Sequence, residues 1–134
     1  FSAVVRGDVN KITIGDRVNV QDGAVIHTLY QRSVTEIGND VSIGHNANIH
    51  GAKIEDRCLI GMGATVLDHA VVGTGSIVAA NALVLSGTKI EPGSIYAGIP
   101  AKRVKGVTPE QVKDIIERTA RDYVMYASWY KEEK

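Results

Sequence analysis

Four histidines, His27, His45, His50 and His69, carry the most versatile chemistry in this chain. Neutral imidazole is the commonest biological metal ligand, and three imidazoles on one Zn²⁺ leave a coordination position for water, whose pKa then falls to about 7. Fe²⁺ and Co²⁺ also accept imidazole, so residue type favours zinc without selecting it. His45 and His50 stand in an H-x4-H spacing, and His27 lies 23 residues before His50. The single Cys58 supplies neither a paired-thiolate metal site nor an internal disulfide. Arg6, Asp8, Gln21 and Asp22 complete the candidate set. Arg6 can grip a carboxylate through two parallel hydrogen bonds, and Arg6, Asp8 and Asp22 could equally form an ion-pair network that simply fixes an interface. The Gln21 amide cannot act as a base but can orient a bound water or an oxyanion.

A six-residue rhythm must position these groups. Branched apolar residues open successive hexads at Ile14, Val20 and Ile26, at Ile37, Ile43 and Ile49, and then from Ile54 through Ile60, Val66, Val72, Val78, Val84 and Ile90 to Tyr96. Neither strand alternation nor an amphipathic helix has period six. The fifth place of each hexad is small or compact, as at Ala24, Ala47, Cys58, Ala64, Ala70 and Ala82. The pattern predicts a mainly β chain, a left-handed parallel β-helix whose triangular coils take one larger and one small side chain per face. Cys58 is then a core filler. Gly15, Gly38, Gly44, Gly61 and Gly73, each following an opener, are expected to supply unusual corner angles. The third face is a residue short, with five residues from Val9 to Ile14 and from Ile49 to Ile54. The eleven residues from Ile26 to Ile37 add a six-residue insertion within 28–36, expected to protrude beside the histidines.

Residues 1–101 are thus assigned to the β-helix and 102–134 to a turn and a C-terminal helix packed on the same domain. Thr108-Pro109-Glu110-Gln111 reads as a helix start, and Val112, Ile116, Thr119, Tyr123 and Ala127 as the face laid on the prism. Tyr126, Trp129 and Tyr130 are expected to support that packing or lie at an interface. Lys102, Arg103 and Lys105 are expected to decorate a surface turn. The 15 basic and 15 acidic side chains cancel, which argues against nucleic acid or an anionic membrane as partner. No signal-peptide or membrane-span pattern is present, and a reducing cytoplasm suits the lone cysteine. Phe1 leads straight into Ser2, Ala3, Val4 and Val5, which suggests that further coils precede it.

Register then places the histidines. His27 and His50 each follow an opener of the third face in successive coils, so they should stack about 4.8 Å apart and point outward, close enough to share an ion. His45 lies on the second face, with Asp22 in its slot one coil earlier. A single prism does not bring His45 to the pair, whereas a neighbouring prism can. This favours a metal shared between subunits, and a three-fold assembly suits a triangular prism. His69 has no stacked partner and reads as a surface residue or an outer partner of the site.

Arg6-Gly7-Asp8, Asn19-Val20-Gln21-Asp22-Gly23, His27 and the H-x4-H pair together resemble the γ-class carbonic anhydrases. The resemblance spans the chain from Phe1 to Lys102 and extends to the C-terminal helix. It implies a homotrimer with Zn²⁺, or Fe²⁺ or Co²⁺, held by His27 and His50 of one subunit and His45 of the next. It further implies Arg6 paired with Asp8 and Asp22 at the interface, Gln21 hydrogen-bonded at the metal-bound water, and reversible hydration of CO₂ to bicarbonate by metal-bound hydroxide. Two departures bear on proton export. Val9 stands where the active archetype has a glutamate, and the loop from Leu29 to Glu36 keeps only Glu36 as an acid. Tyr30 and Glu36 are the remaining candidates for proton transfer, and weak activity is expected. The alternatives are an acyl-CoA thioesterase or acyltransferase on the same coil, and a non-catalytic trimeric metal-binding assembly protein.

Overall fold

The computed structural model describes residues 1–131. The chain is a left-handed parallel β-helix. One face stacks β1 (Val4–Val5), β4 (Val25–His27), β7 (Asn48–His50), β10 (Thr65–Val66) and β13 (Leu83–Val84). The next holds β2 (Ile12–Ile14), β5 (Thr35–Ile37), β8 (Lys53–Ile54), β11 (Val71–Val72) and β14 (Lys89–Ile90). The last holds β3 (Asn19–Val20), β6 (Ser42–Ile43), β9 (Leu59–Ile60), β12 (Ile77–Val78) and β15 (Ser94–Ala97), with β16 (Lys102–Gly106) at its edge. Strands this short do not persist on ladder hydrogen bonds alone. The interior column holds them. Ile26, Ile43, Ile49, Ile54 and Ile60 are fully buried, each worth about 1.5–3 kcal/mol of transfer free energy. Cys58 is buried among them, and burial pushes its thiol up to about 11, so it packs and does not react.

The expected register holds wherever the hexads are regular. Ile37 pairs with Ile54 and Ile43 with Ile60. Across the insertion Ile14 still pairs with Ile37 and Ile26 with Ile49. In the first coil the expectation fails, because Val5 and not Val9 pairs with Ile26. Val9 lies in a bend over residues 8–10. Val4, Val5 and Val9 are equally apolar, so composition does not choose among them. The bend carries the Asp8 side chain out to His27.

The glycines that follow openers also act differently from expectation. None of Gly15, Gly38, Gly44, Gly61 and Gly73 has a positive φ. They sit where adjacent coils nearly touch. A Cβ on Gly61 would lie 2.5 Å from the Ala80 amide nitrogen, and one on Gly73 would lie 2.6 Å from that of Pro92. The left-handed corners belong instead to Gly63, Gly75 and Gly87 and to polar residues such as Arg17, Asp40, Asn46 and Arg57. Gly61→Ala is therefore expected to destabilise by about 1–3 kcal/mol through backbone separation. Thermal unfolding of the purified protein would show a clearly lowered midpoint, and an unchanged midpoint would contradict this packing account.

At one corner Arg17 Nε and Nη2 fork onto the Asp40 carboxylate of the next coil, at 2.7 and 3.1 Å. Arg17 holds the Asp40 carboxyl below its usual range. The pair is largely exposed, so it sets corner geometry more than stability.

The segment expected as a surface turn is strand β16, antiparallel to β15. An unpaired edge on β15 would present a row of bare backbone groups, and the returning chain covers it. Thr108 caps the following helix through a reciprocal capping box with Gln111, as the residues predict. The helix begins as α1 (Pro109–Gln111), widens through a π-helical stretch (Val112–Glu117) and ends as α2 (Arg118–Ser128). Ile116 and Ala120 are its buried residues, Thr119 and Tyr123 border them, and Ala127 is exposed. The wider π turn shifts the face that a uniform 3.6-residue period assigns. Tyr123 meets Tyr126 in a T-shaped contact, Tyr126 lies tilted against Trp129, and Tyr130 meets Phe1 at 5.4 Å.

Candidate metal centre

β4 and β7 place the histidine pair. Ile26 and Ile49 point into the prism, so the next residue on each strand points out, and His27 pairs directly with His50. Their rings lie 5.3 Å apart at 65°. Both carry a carboxylate on one ring nitrogen. His27 Nε2 is 3.1 Å from Asp8 Oδ1, while Arg6 donates to Asp8 Oδ2 at 2.6 Å. Arg6, and then His27, hold the Asp8 carboxyl below its ordinary value. His50 Nδ1 lies 3.0 Å from both oxygens of Asp68. Ser33 donates to Asp68 Oδ1 at 2.6 Å and itself accepts the Leu29 amide at 3.1 Å. Burial pushes the Asp68 carboxyl up, but the hydrogen bonds from Ser33 and His50 outweigh it and leave it lowered.

The insertion forms a loop closed by a Leu29–Ser33 bridge. Its tip protrudes, with Tyr30 exposed, but Thr28 and Ser33 at its base are buried. Thr35 Oγ1 donates to the His27 carbonyl at 2.7 Å and accepts the Gly51 amide at 2.9 Å, stitching the loop base to the histidine strands. Gly51, at φ +64°, is required twice. A Cβ there would collide with Ser33 Oγ and Asp68 Oδ1.

The other candidates gather elsewhere. His45 follows β6, and its Nδ1 is buried without a hydrogen-bond partner, 3.7 Å from Asp22 Oδ1. Gln21 is 8% exposed and donates to Asn19 Oδ1 at 3.0 Å, and Asn19 donates to Ser42 Oγ at 2.8 Å. A groove of about 430 Å³ between Gln21, His45, Met62, Thr119 and Tyr123 separates this group from the helix. Among the described residues, no three His, Cys, Asp or Glu side chains of the chain converge on one metal position. Two partial sets result. One holds Arg6, Asp8, His27, His50 and Asp68; the other holds Gln21, Asp22 and His45.

Arg6 pairs within its own chain with Asp8 rather than with Asp22. Neither proton-transfer candidate joins a histidine set. Tyr30 accepts from Gln31, and Glu36 lies beside Lys53 of the next coil on its own face, in a groove shared with His69. His69 sits at a left-handed corner, exposed, with its carbonyl accepting from Lys89. Residue pattern alone does not mark Asp68 or Ser33 as partners of the site. A signal for Asp68 existed, since adding one 17-residue coil to Gly51 lands on it.

The donor set suits a borderline divalent ion. It offers imidazoles, two of them held by carboxylates, and in His45 an unpartnered buried nitrogen.

The bacterial transferase hexapeptide (six repeats) family model matches residues 34–68 and 51–86. The chain is 55% identical over 121 residues to a "Probable carbonic anhydrase" of Methanocaldococcus jannaschii, covering 90% of this chain and 76% of that protein. It is 39% identical to mitochondrial gamma carbonic anhydrase 2 of Arabidopsis thaliana, covering 99% of this chain and 49% of the plant protein, about half its length. The crystal structure of a hexapeptide transferase family protein from Anaplasma phagocytophilum superposes with TM-score 0.91 at 35% identity, covering 97% of this chain and 75% of that one. With identity of this degree spread along most of both chains, and with the coil register observed, the chain belongs to the γ-class carbonic-anhydrase-like family of hexapeptide-repeat proteins.

Proposed function

We propose that this chain forms a homotrimer that hydrates CO₂ reversibly at metal sites between subunits, with His27 and His50 from one subunit and His45 from its neighbour as ligands. The observation that carries this reading is the direct pairing of His27 with His50, with Asp68 bracing the latter. Zn²⁺, or Fe²⁺ or Co²⁺, when bound supplies Lewis acidity that activates water toward an electrophilic carbon. The chain's own residues do the rest. His50 is held in one orientation by Asp68, and His27 by Asp8. The Gln21 amide nitrogen is engaged by Asn19, which leaves its oxygen to accept a hydrogen bond from water and orient it. Arg6 and Asp8 order the rim of the pair. With Glu36 in another groove and Tyr30 exposed and engaged by Gln31, the released proton passes to solvent buffer, and turnover is modest and rises with buffer concentration.

CO₂ hydration should be measured with a pH indicator on protein loaded with Zn²⁺ in air and with Fe²⁺ under anaerobic conditions. The reading requires activity that a chelator removes and the metal restores. Metal-bound protein that is inactive in both preparations refutes it. A parallel panel of acyl-CoA esters, followed by thiol release, addresses acyl transfer, which the groove beside His45 and the transferase name of a solved relative favour. Inactivity on both substrate classes with a metal-bound trimer would leave the assembly role.

A further inference from the structure

The inserted loop does more than border the histidine pair. Proton positions along the chain of hydrogen bonds from Leu29 to His50 follow from the donor capacity of each group. The Leu29 amide can only donate, so Ser33 Oγ accepts it. The single Ser33 hydroxyl proton then points to Asp68 Oδ1 at 2.6 Å. A carboxylate can only accept, so the proton between Asp68 and His50 Nδ1 belongs to the imidazole. In the neutral ring, the Nε2 lone pair is then free. The same logic at His27 gives the opposite tautomer, because Asp8, already accepting from Arg6, faces Nε2. The two stacked rings are therefore set differently by their own chain.

We infer that Asp68 is a positioning residue that fixes His50 as the Nδ1–H tautomer for a divalent cation, and that Ser33 couples the inserted loop to it. The space for this relay is reserved. Gly51 stands at the one place where a Cβ would strike both Ser33 Oγ and Asp68 Oδ1. The bridge between Leu29 and Ser33 holds the loop base in register, so the loop's closure and the orientation of His50 form one unit. A substitution in the loop that never touches a histidine consequently changes cation affinity. Outer partners of ligating histidines generally contribute 10–100-fold to affinity. The inference rests on the metal reading of His50 proposed above.

The test separates the two. Zn²⁺ affinity is measured by chelator competition on wild type, Asp68→Ala and Ser33→Ala, without any turnover assay. The metal-free proteins are labelled with ¹⁵N on histidine, and the His50 ring-nitrogen shifts are read at alkaline pH. Wild type should show Nδ1–H. Asp68→Ala should move His50 toward Nε2–H and weaken Zn²⁺ binding about 10–100-fold. Ser33→Ala, which keeps the carboxylate, should weaken it about fivefold, as loss of one hydrogen bond implies. Wild-type shifts and affinity in Asp68→Ala would overturn the inference. If Asp68→Ala does not fold, Ser33→Ala with unchanged affinity would do so. Wild-type protein that binds Zn²⁺ but does not hydrate CO₂ would defeat the functional reading while leaving the role of Asp68 in place.

Discussion

Replacing His50 with alanine is expected to abolish both metal retention and CO₂ hydration. His50 is a proposed ligand, and its removal also strands Asp68, which faces its Nδ1 and accepts the hydrogen bond from Ser33. Loss of an outer partner costs 10–100-fold in affinity, so loss of the ligand itself should exceed about 100-fold. The fold should survive. The His50 side chain points outward, whereas the core column at this level is Ile26, Ile49 and Val66. Metal content by atomic emission, rate by stopped flow and subunit mass by light scattering together check the expectation. A His50→Ala trimer with wild-type metal content would remove His50 from the ligand set and with it the proposed site.

The second large effect concerns where the third ligand comes from. His45→Ala and His50→Ala should each be inactive alone, yet a mixture refolded together should recover activity. In a cyclic trimer each interface would draw His50 from one subunit and His45 from the next, so a mixed trimer contains one intact interface in three. Random equal mixing gives about a quarter of wild-type activity. A site built within one chain would instead give none, because neither mutant chain carries both histidines. The separation of His45 from the His27–His50 pair within the chain motivates this expectation. Mixed trimers that bind no metal would rule out the shared arrangement.

Much of this molecule is legible in one dimension. The six-residue period predicts the coil, the buried openers and the pairing of His27 with His50, because each coil closes after a set number of residues and so converts spacing into stacking. The Thr108 capping box is equally local, spanning a single turn. Where the period lapses, prediction lapses with it. Val9 is out of register because three similar valines precede the first regular hexad. The glycines after openers serve close approach between coils, a distance that no local pattern states. β16 answers an open strand edge that exists only once β15 is in place.

The candidate site divides the same way. Residue types and spacing alone determined the β-helix, the outward histidine pair and the exclusion of His45 from it. Only the tertiary structure decided which nitrogen of each histidine is engaged, that Asp68 and Ser33 stand behind His50, and that Glu36 faces another groove. The physical reason is that stacking repeats along the coil and is counted in residues. Hydrogen bonding from an inserted loop depends instead on the path its backbone takes to close, and that path belongs to no repeat.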